Sequence, residues 1–140
     1  MTKRIPSSAP SRYLALKAVM MPRDTNPNGT IFGGVLLSHI DQAGAVGAVH
    51  EIRQAGWPER LIVTVAMNEV EFHEPVFVGD LVSFWTTLVR VGNTSMTMHV
   101  EVEADRDGQP VKLTEAQVVY VAVEPLGDQR RPVPIRGSSA

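Results

Sequence analysis

The chain has 140 residues, enough for one domain with a modest single core. Its formal net charge of −2 offers no basic field for nucleic acid. The absence of cysteine excludes disulfides, thiol nucleophiles and cysteine-based metal sites, and it suits a cytoplasmic location.

The first residues, "MTKRIPSSAP", read as a loose tail that extends to residue 12. Residues 1–23 contain no acid and carry Lys3, Arg4, Arg12 and Lys17, a charge pattern that transit peptides share. Against that reading, "YLALKAVMM" from Tyr13 has the composition of a first strand. "PRDTNPNGTIFGG" then collects Asp, Asn, Pro and Gly, the chemistry of a turn-rich loop.

From Gly34 to about Gln54 the pattern is helical, and Gly56 and Pro58 supply the stop. One stripe of this helix carries Gly34, Ser38, Asp41, Ala45 and Ala48; another carries Leu36, Ile40, Ala43 and Gly47. A helix so apolar is expected to be buried on most sides, and no run of the chain reaches the roughly 18 apolar residues that span a bilayer. Gly44 and Gly47 each cost about 1 kcal/mol against alanine in a helix interior, so something close by must need the space. Asp41 is the only acid between Gly33 and His50. A buried carboxylate without a partner is costly, and no Lys or Arg stands one helical turn away.

The second half reads as strands. In "RLIVTVAMNEVEF" the apolar parity runs Val63, Val65, Met67 and then shifts to Val70 and Phe72, which predicts a bulge near Asn68–Glu69. "HEPVFVGD" is a connection, "LVSFWTTLVRV" a strand, and Gly92–Asn93 a turn. "TSMTMHVEVEA" places Met96, Met98, Val100 and Val102 on one face and Thr97, His99, Glu101 and Glu103 on the other, which leaves His99 facing solvent. "DRDGQP" is a turn before the long strand "VKLTEAQVVYVAVEP", and residues 125–140 read as a tail. The result is an α+β domain in which one antiparallel sheet curves around a central helix.

The stretch "MPRDTNPNGTIFGGVLLSHIDQAG" resembles the signature of the hotdog-fold acyl-CoA thioester hydrolases, the bacterial broad-range and cytosolic long-chain acyl-CoA hydrolases. The matching residues are Asp24, Thr25, Asn26, Gly29, Phe32, Gly33, Gly34 and Asp41, joined by "PVFVGD" at 75–80 and "VGNTS" at 91–95. The similarity covers about residues 13–124 and implies a hotdog fold and hydrolysis of acyl-CoA to free fatty acid and coenzyme A, with no metal and no redox cofactor. It implies that Asp41 acts on the thioester, as general base toward water or as nucleophile toward the carbonyl carbon. It implies that Asn26 orients water or substrate beside the partner subunit's acid, with Asn28 a poorer match for that role. By the same resemblance Gly33 and Gly34 let the thioester oxygen approach free N–H groups at the helix N-terminus.

The turn Asn93–Thr94–Ser95 corresponds to the region expected near coenzyme A phosphates, but Asn93 stands where relatives often carry Arg or Lys. Val35 stands where relatives often carry a large aromatic. A lone hotdog unit leaves a strand edge open, so a homodimer with one continuous sheet is the smallest unit expected, and the resemblance extends this to a hexamer built as a trimer of dimers.

Each of these residues also has a plain structural reading: Asp41 as half of an ion pair, Asn26 as a turn residue, Gly33–Gly34 as a tight passage into the helix. His39 lies two residues from Asp41 on another helix face, and His39, His50, His73 and His99 show no metal-binding spacing. Ser38 could bond to Asp41, but no G-x-S-x-G elbow surrounds any serine. Two other functions fit the same pocket: a hotdog dehydratase or hydratase, which needs a His–acid pair, and a non-catalytic acyl-CoA-binding module, which does not need Asp41.

Overall fold

A computed structural model describes residues 11–137. The elements are β1 (Tyr13–Val19), a 3-10 turn (Pro22–Asp24), α1 (Gly33–Ala55), β2 (Leu61–Phe72), β3 (Leu81–Val91), β4 (Ser95–Arg106), β5 (Gln109–Leu126) and β6 (Gln129–Pro132). The strands form one antiparallel sheet in the order β1-β3-β4-β5-β2, with β6 paired to the end of β5. The helix packs on one face of this sheet, and no helix among the described residues is long and apolar enough to cross a membrane.

Local chemistry accounts for the frame. Gly56 ends α1 in the left-handed conformation, at φ 73°, and its N–H bonds back to Ile52 and Arg53. Asp107 and Gly108 both take positive φ, the geometry of a two-residue hairpin, and they join β4 to β5. The alternation in β4 holds along its length, with Met96, Met98, Val100, Val102 and Ala104 all buried against α1. Leu36, Ile40, Ala43, Gly44, Gly47, Ala48 and Ile52 are the buried stripe of the helix.

Four expectations need correction. The helix is not buried on most sides: the sheet covers one face, and Val46 on the opposite side is 45% exposed. In β2 the register slips at Asn68–Glu71, as anticipated, but it also slips at Thr64–Ala66. The second bulge reverses the faces, so Ile62 and Met67 pack on the core while Val65 turns outward. His99 does not face free solvent; its Nε2 lies 3.3 Å from Glu115 Oε1, and its side chain keeps only a quarter of its exposure.

The last correction concerns the stretch read as a C-terminal tail, part of which belongs to the fold. A turn at Gly127 returns the chain as β6, Val133 N–H bonds to Ala122 O, and Val133 and Ile135 are buried. Proline and arginine in "RRPVPI" mask two core residues whose burial depends on a hairpin too short to show periodicity. Residues 1–10, most of the expected N-terminal tail, lie outside the described residues.

Candidate active site

The loop before the helix is tied together by the side chains of its own motif. Asp24 Oδ2 accepts Met21 N–H at 3.1 Å, Thr25 Oγ1 donates to Pro22 O at 2.8 Å, and Phe32 N–H bonds to Asp24 O. Asn26 is the hub. Its Oδ1 accepts the N–H groups of Asn28 and Thr30 at 2.8 and 3.2 Å, and its Nδ2 donates to Thr30 Oγ1 at 2.8 Å. These bonds use both lone-pair directions of the amide oxygen and one of the two N–H donors, leaving one donor to spare.

The connection at residues 73–80 clamps this loop from the other side. Ile31 N–H bonds to Val76 O, and Gly79 N–H bonds to Met20 O. Asp80 accepts Phe77 N–H and pairs with Arg106 at 2.7 Å, which explains why the motif ends in an acid. The clamp delivers the chain to Gly33 with no side chain capping the first turn. A cavity of about 420 Å³ opens there, lined by Thr30, Ile31, Gly33, Leu36, Phe72 and residues 73–76. A Cβ on Gly33 would reach only the Phe72 ring, at 3.5 Å.

Asp41 lies eight residues further along α1, about 12 Å at the helical rise. It does have a partner, and sequence reasoning missed it. Thr64 Oγ1 donates to Asp41 Oδ1 at 2.6 Å, across 23 residues, because the second bulge in β2 turns Thr64 toward the helix. The hydroxyl of Tyr120 on β5 donates to the backbone carbonyl of Asp41 at 2.7 Å and stands 3.5 Å from Oδ1. Tyr120 is buried, and burial together with the Asp41 charge pushes its pKa above the usual tyrosine range. Among the described residues no hydrogen bond reaches Asp41 Oδ2, so both neighbouring hydroxyls lie on the side of one oxygen and the other is free.

The glycine puzzle resolves at the same place. A Cβ on Gly44 would stand 2.2 Å from the Tyr120 hydroxyl, and one on Gly47 would stand 2.3 Å from Thr86 Oγ1. These residues are glycine because two sheet side chains press into the helix. The signal was present in sequence as a cost without a beneficiary, but the beneficiaries are far away in the chain.

The other candidates sort as follows. His39 Nδ1 lies 2.8 Å from Val35 O and its ring stacks on Phe84, so it is turned away from Asp41. The turn of Asn93, Thr94 and Ser95 is fixed by its carbonyls: Asn93 O accepts Ile135 N–H and Thr94 O accepts Ala122 N–H. Asn93 is exposed there. Asn26 and Asp41 share no hydrogen bond within one chain among the described residues. Glu71, His73 and Glu115 bring ligand-type atoms within 4.8 Å of one another, and His73 is also one of the residues that line the cavity at Gly33. His73 and Glu115 are paired at 2.7 Å, and Lys112 adds a cation 3.4 Å from the same carboxylate.

Residues 28–111 match the thioesterase superfamily. The acyl-CoA thioester hydrolase YciA of Salmonella typhimurium is 40% identical over 93% of this chain and 96% of its own length. Two crystal structures are similar throughout: the hexameric thioesterase of Yersinia pestis (38% identity, TM-score 0.75, 91% of this chain and 99% of that one) and a hexameric hotdog-fold thioesterase of Campylobacter jejuni (46%, TM-score 0.71, 86% and 89%). One long helix packed on an antiparallel sheet is the hotdog arrangement, and the chain belongs to the thioesterase superfamily, among its acyl-CoA thioester hydrolases.

Proposed function

We propose that this protein hydrolyses acyl-CoA to free fatty acid and coenzyme A at a site shared between two copies of the chain. The observation that carries the reading is the separation of the two half-sites. Gly33, with its backbone donors and cavity, and Asp41 stand eight residues apart on one helix, about 12 Å at the helical rise, too far for one thioester group to reach both. A partner's copy brings the missing half. Thr64 lies on β2 and Asp41 beside it; among the described residues β2 pairs only with β5 and its other edge is open, and Leu61 and Val65 on it are about half exposed. Hexameric relatives support an assembly of such dimers.

In this reading the thioester oxygen approaches the N–H groups of Gly33 and Gly34, which stabilise the charge that develops on it. The spare N–H of Asn26 makes it a donor, to that oxygen or to water. Asp41 of the other copy acts through Oδ2 while Thr64 holds Oδ1. As a base, Asp41 takes a proton from water, the water oxygen bonds to the carbonyl carbon, and the C–S bond breaks to a coenzyme A thiolate that is then protonated. As a nucleophile, Oδ2 itself bonds to that carbon, the same C–S bond breaks, and water cleaves the anhydride. No metal or redox group is needed in either route. We assign the coenzyme A phosphates to the turn of Asn93, Thr94 and Ser95, where the side chains and N–H groups remain after the Asn93 and Thr94 carbonyls have been used. A dehydratase reading has less support: His39 is turned from Asp41, and the His–carboxylate pair of His73 with Glu115 does not include Asp41.

Mixing tests the shared site. Chains with Asn26→Ala and chains with Asp41→Ala, each inactive alone, are unfolded together and refolded. Random pairing makes half the dimers mixed, each with one intact site, so about one quarter of wild-type activity returns. If both residues serve one site within a chain, mixing restores nothing.

A further inference from the structure

We propose that Tyr120 is a positioning residue of the hydrolytic site: its hydroxyl, seated in the notch that Gly44 leaves in the helix, holds the turn bearing Asp41 so that Oδ2 faces the thioester. This rests on the reading that Asp41 performs the chemistry.

The geometry singles out this tyrosine. Tyr120 is among the largest fully buried side chains, and its phenol crosses the core from β5 to end on the carbonyl of Asp41 itself, at 2.7 Å. A helix carbonyl has a second lone pair after its bond within the helix, so the hydroxyl adds a tie between sheet and helix without breaking the helix. The same hydroxyl is 3.5 Å from Oδ1, which Thr64 already holds at 2.6 Å. The two hydroxyls come from β5 and β2, adjacent strands, and their joint effect is to leave Oδ2 as the free oxygen. Burial and the nearby charge keep the phenol protonated, so it remains a donor.

Gly44 is the second half of the device. A methyl there would stand 2.2 Å from the hydroxyl and 3.1 Å from Cζ, so alanine evicts the hydroxyl while leaving room for a bare ring to shift. Glycine weakens a helix interior, and this one is retained where the hydroxyl needs its space.

The test uses the full chain, with free coenzyme A release followed by a thiol reagent and thermal melting recorded for every variant. Asp41→Asn is the reference. Tyr120→Phe keeps the ring and its volume. It should lower kcat about tenfold while KM stays within about twofold, because misorientation of a reacting group costs rate and not uniform binding. Gly44→Ala should lower kcat similarly. The double variant Gly44→Ala/Tyr120→Phe should be no slower than the slower single one and should melt above Gly44→Ala, since the clash is gone and alanine favours the helix. A folded Tyr120→Phe protein with wild-type kcat beside an inactive Asp41→Asn overturns the role of Tyr120 alone. Losses that multiply in the double variant overturn the shared notch. Wild-type turnover by Asp41→Asn sinks the hydrolytic reading, and the Tyr120 proposal with it.

Discussion

The two ends of the candidate chemistry sit on one helix and are built in opposite ways. At the N-terminal end, Gly33 opens onto a cavity of about 420 Å³, no side chain caps the first turn, and an added Cβ would meet only an aromatic ring at ordinary contact distance. Around Asp41, two turns on, the helix is gripped: Thr64 holds the carboxylate, Tyr120 holds the backbone, and Gly44 and Gly47 are filled by side chains from the sheet. Gly33 at the first place leaves the cavity open, whereas Gly44 and Gly47 at the second yield space to the protein, as Gly34 does to the Phe32 ring, which an added Cβ would meet at 2.6 Å. Glycine alone therefore does not mark a ligand site; what its missing Cβ would touch does.

Substitutions sharpen that contrast. Asp41→Asn removes the charge and keeps the shape, so turnover should fall roughly a hundredfold or more while the melting transition stays cooperative. Steady-state release of coenzyme A checks it, and near-normal turnover by the folded variant would remove Asp41 from the mechanism. Gly33→Ala should separate function from stability. Its methyl is tolerated by Phe72 but projects toward the cavity, so hydrolysis should drop about tenfold or more with stability changed by less than about 0.5 kcal/mol. Gly47→Ala should do the reverse. Its methyl would lie 2.3 Å from Thr86 Oγ1 and 2.7 Å from Thr86 Cβ, an atom that cannot swing away. Overpacking of that kind costs about 1–3 kcal/mol, measurable by urea titration. If Gly33→Ala proved the more destabilising of the two, the division between open and gripped ends would be wrong.

The smallest effect lies on the far face of the sheet. Burial would raise the Glu115 carboxyl, but the hydrogen bond from His73 and the charge of Lys112 outweigh it and hold the group below its ordinary 4.5. A carboxylate with a lowered pKa in the folded state stabilises the fold above the unfolded value, and that contribution disappears as pH falls through the lower folded value. Glu115→Gln should thus cost at most about 1 kcal/mol near neutral pH, as for other partly exposed pairs, and the difference should vanish in strong acid. Equal stability of the two proteins at neutral pH would show that the ion pairs contribute nothing there.

Much of this protein is written in local sequence. The alternation of β4, the Gly56 stop of the helix, the Asp107–Gly108 hairpin and the loop with Asn26 at its hub all follow from neighbours within a few residues, where backbone sterics and turn chemistry act. The order of the signature from Asp24 to Asp41 likewise pointed to the family. Tertiary structure alone decided what those residues touch. Thr64 reaches Asp41 because one extra residue in β2 reverses its faces, and a bulge of that size leaves no trace in composition. Tyr120 meets Gly44 across 76 residues, and Val133 and Ile135 enter the core only after β6 has folded back on β5. Contacts of such separation depend on strand order and register, which are set by the packing of the whole sheet against the helix and by no single stretch of the chain.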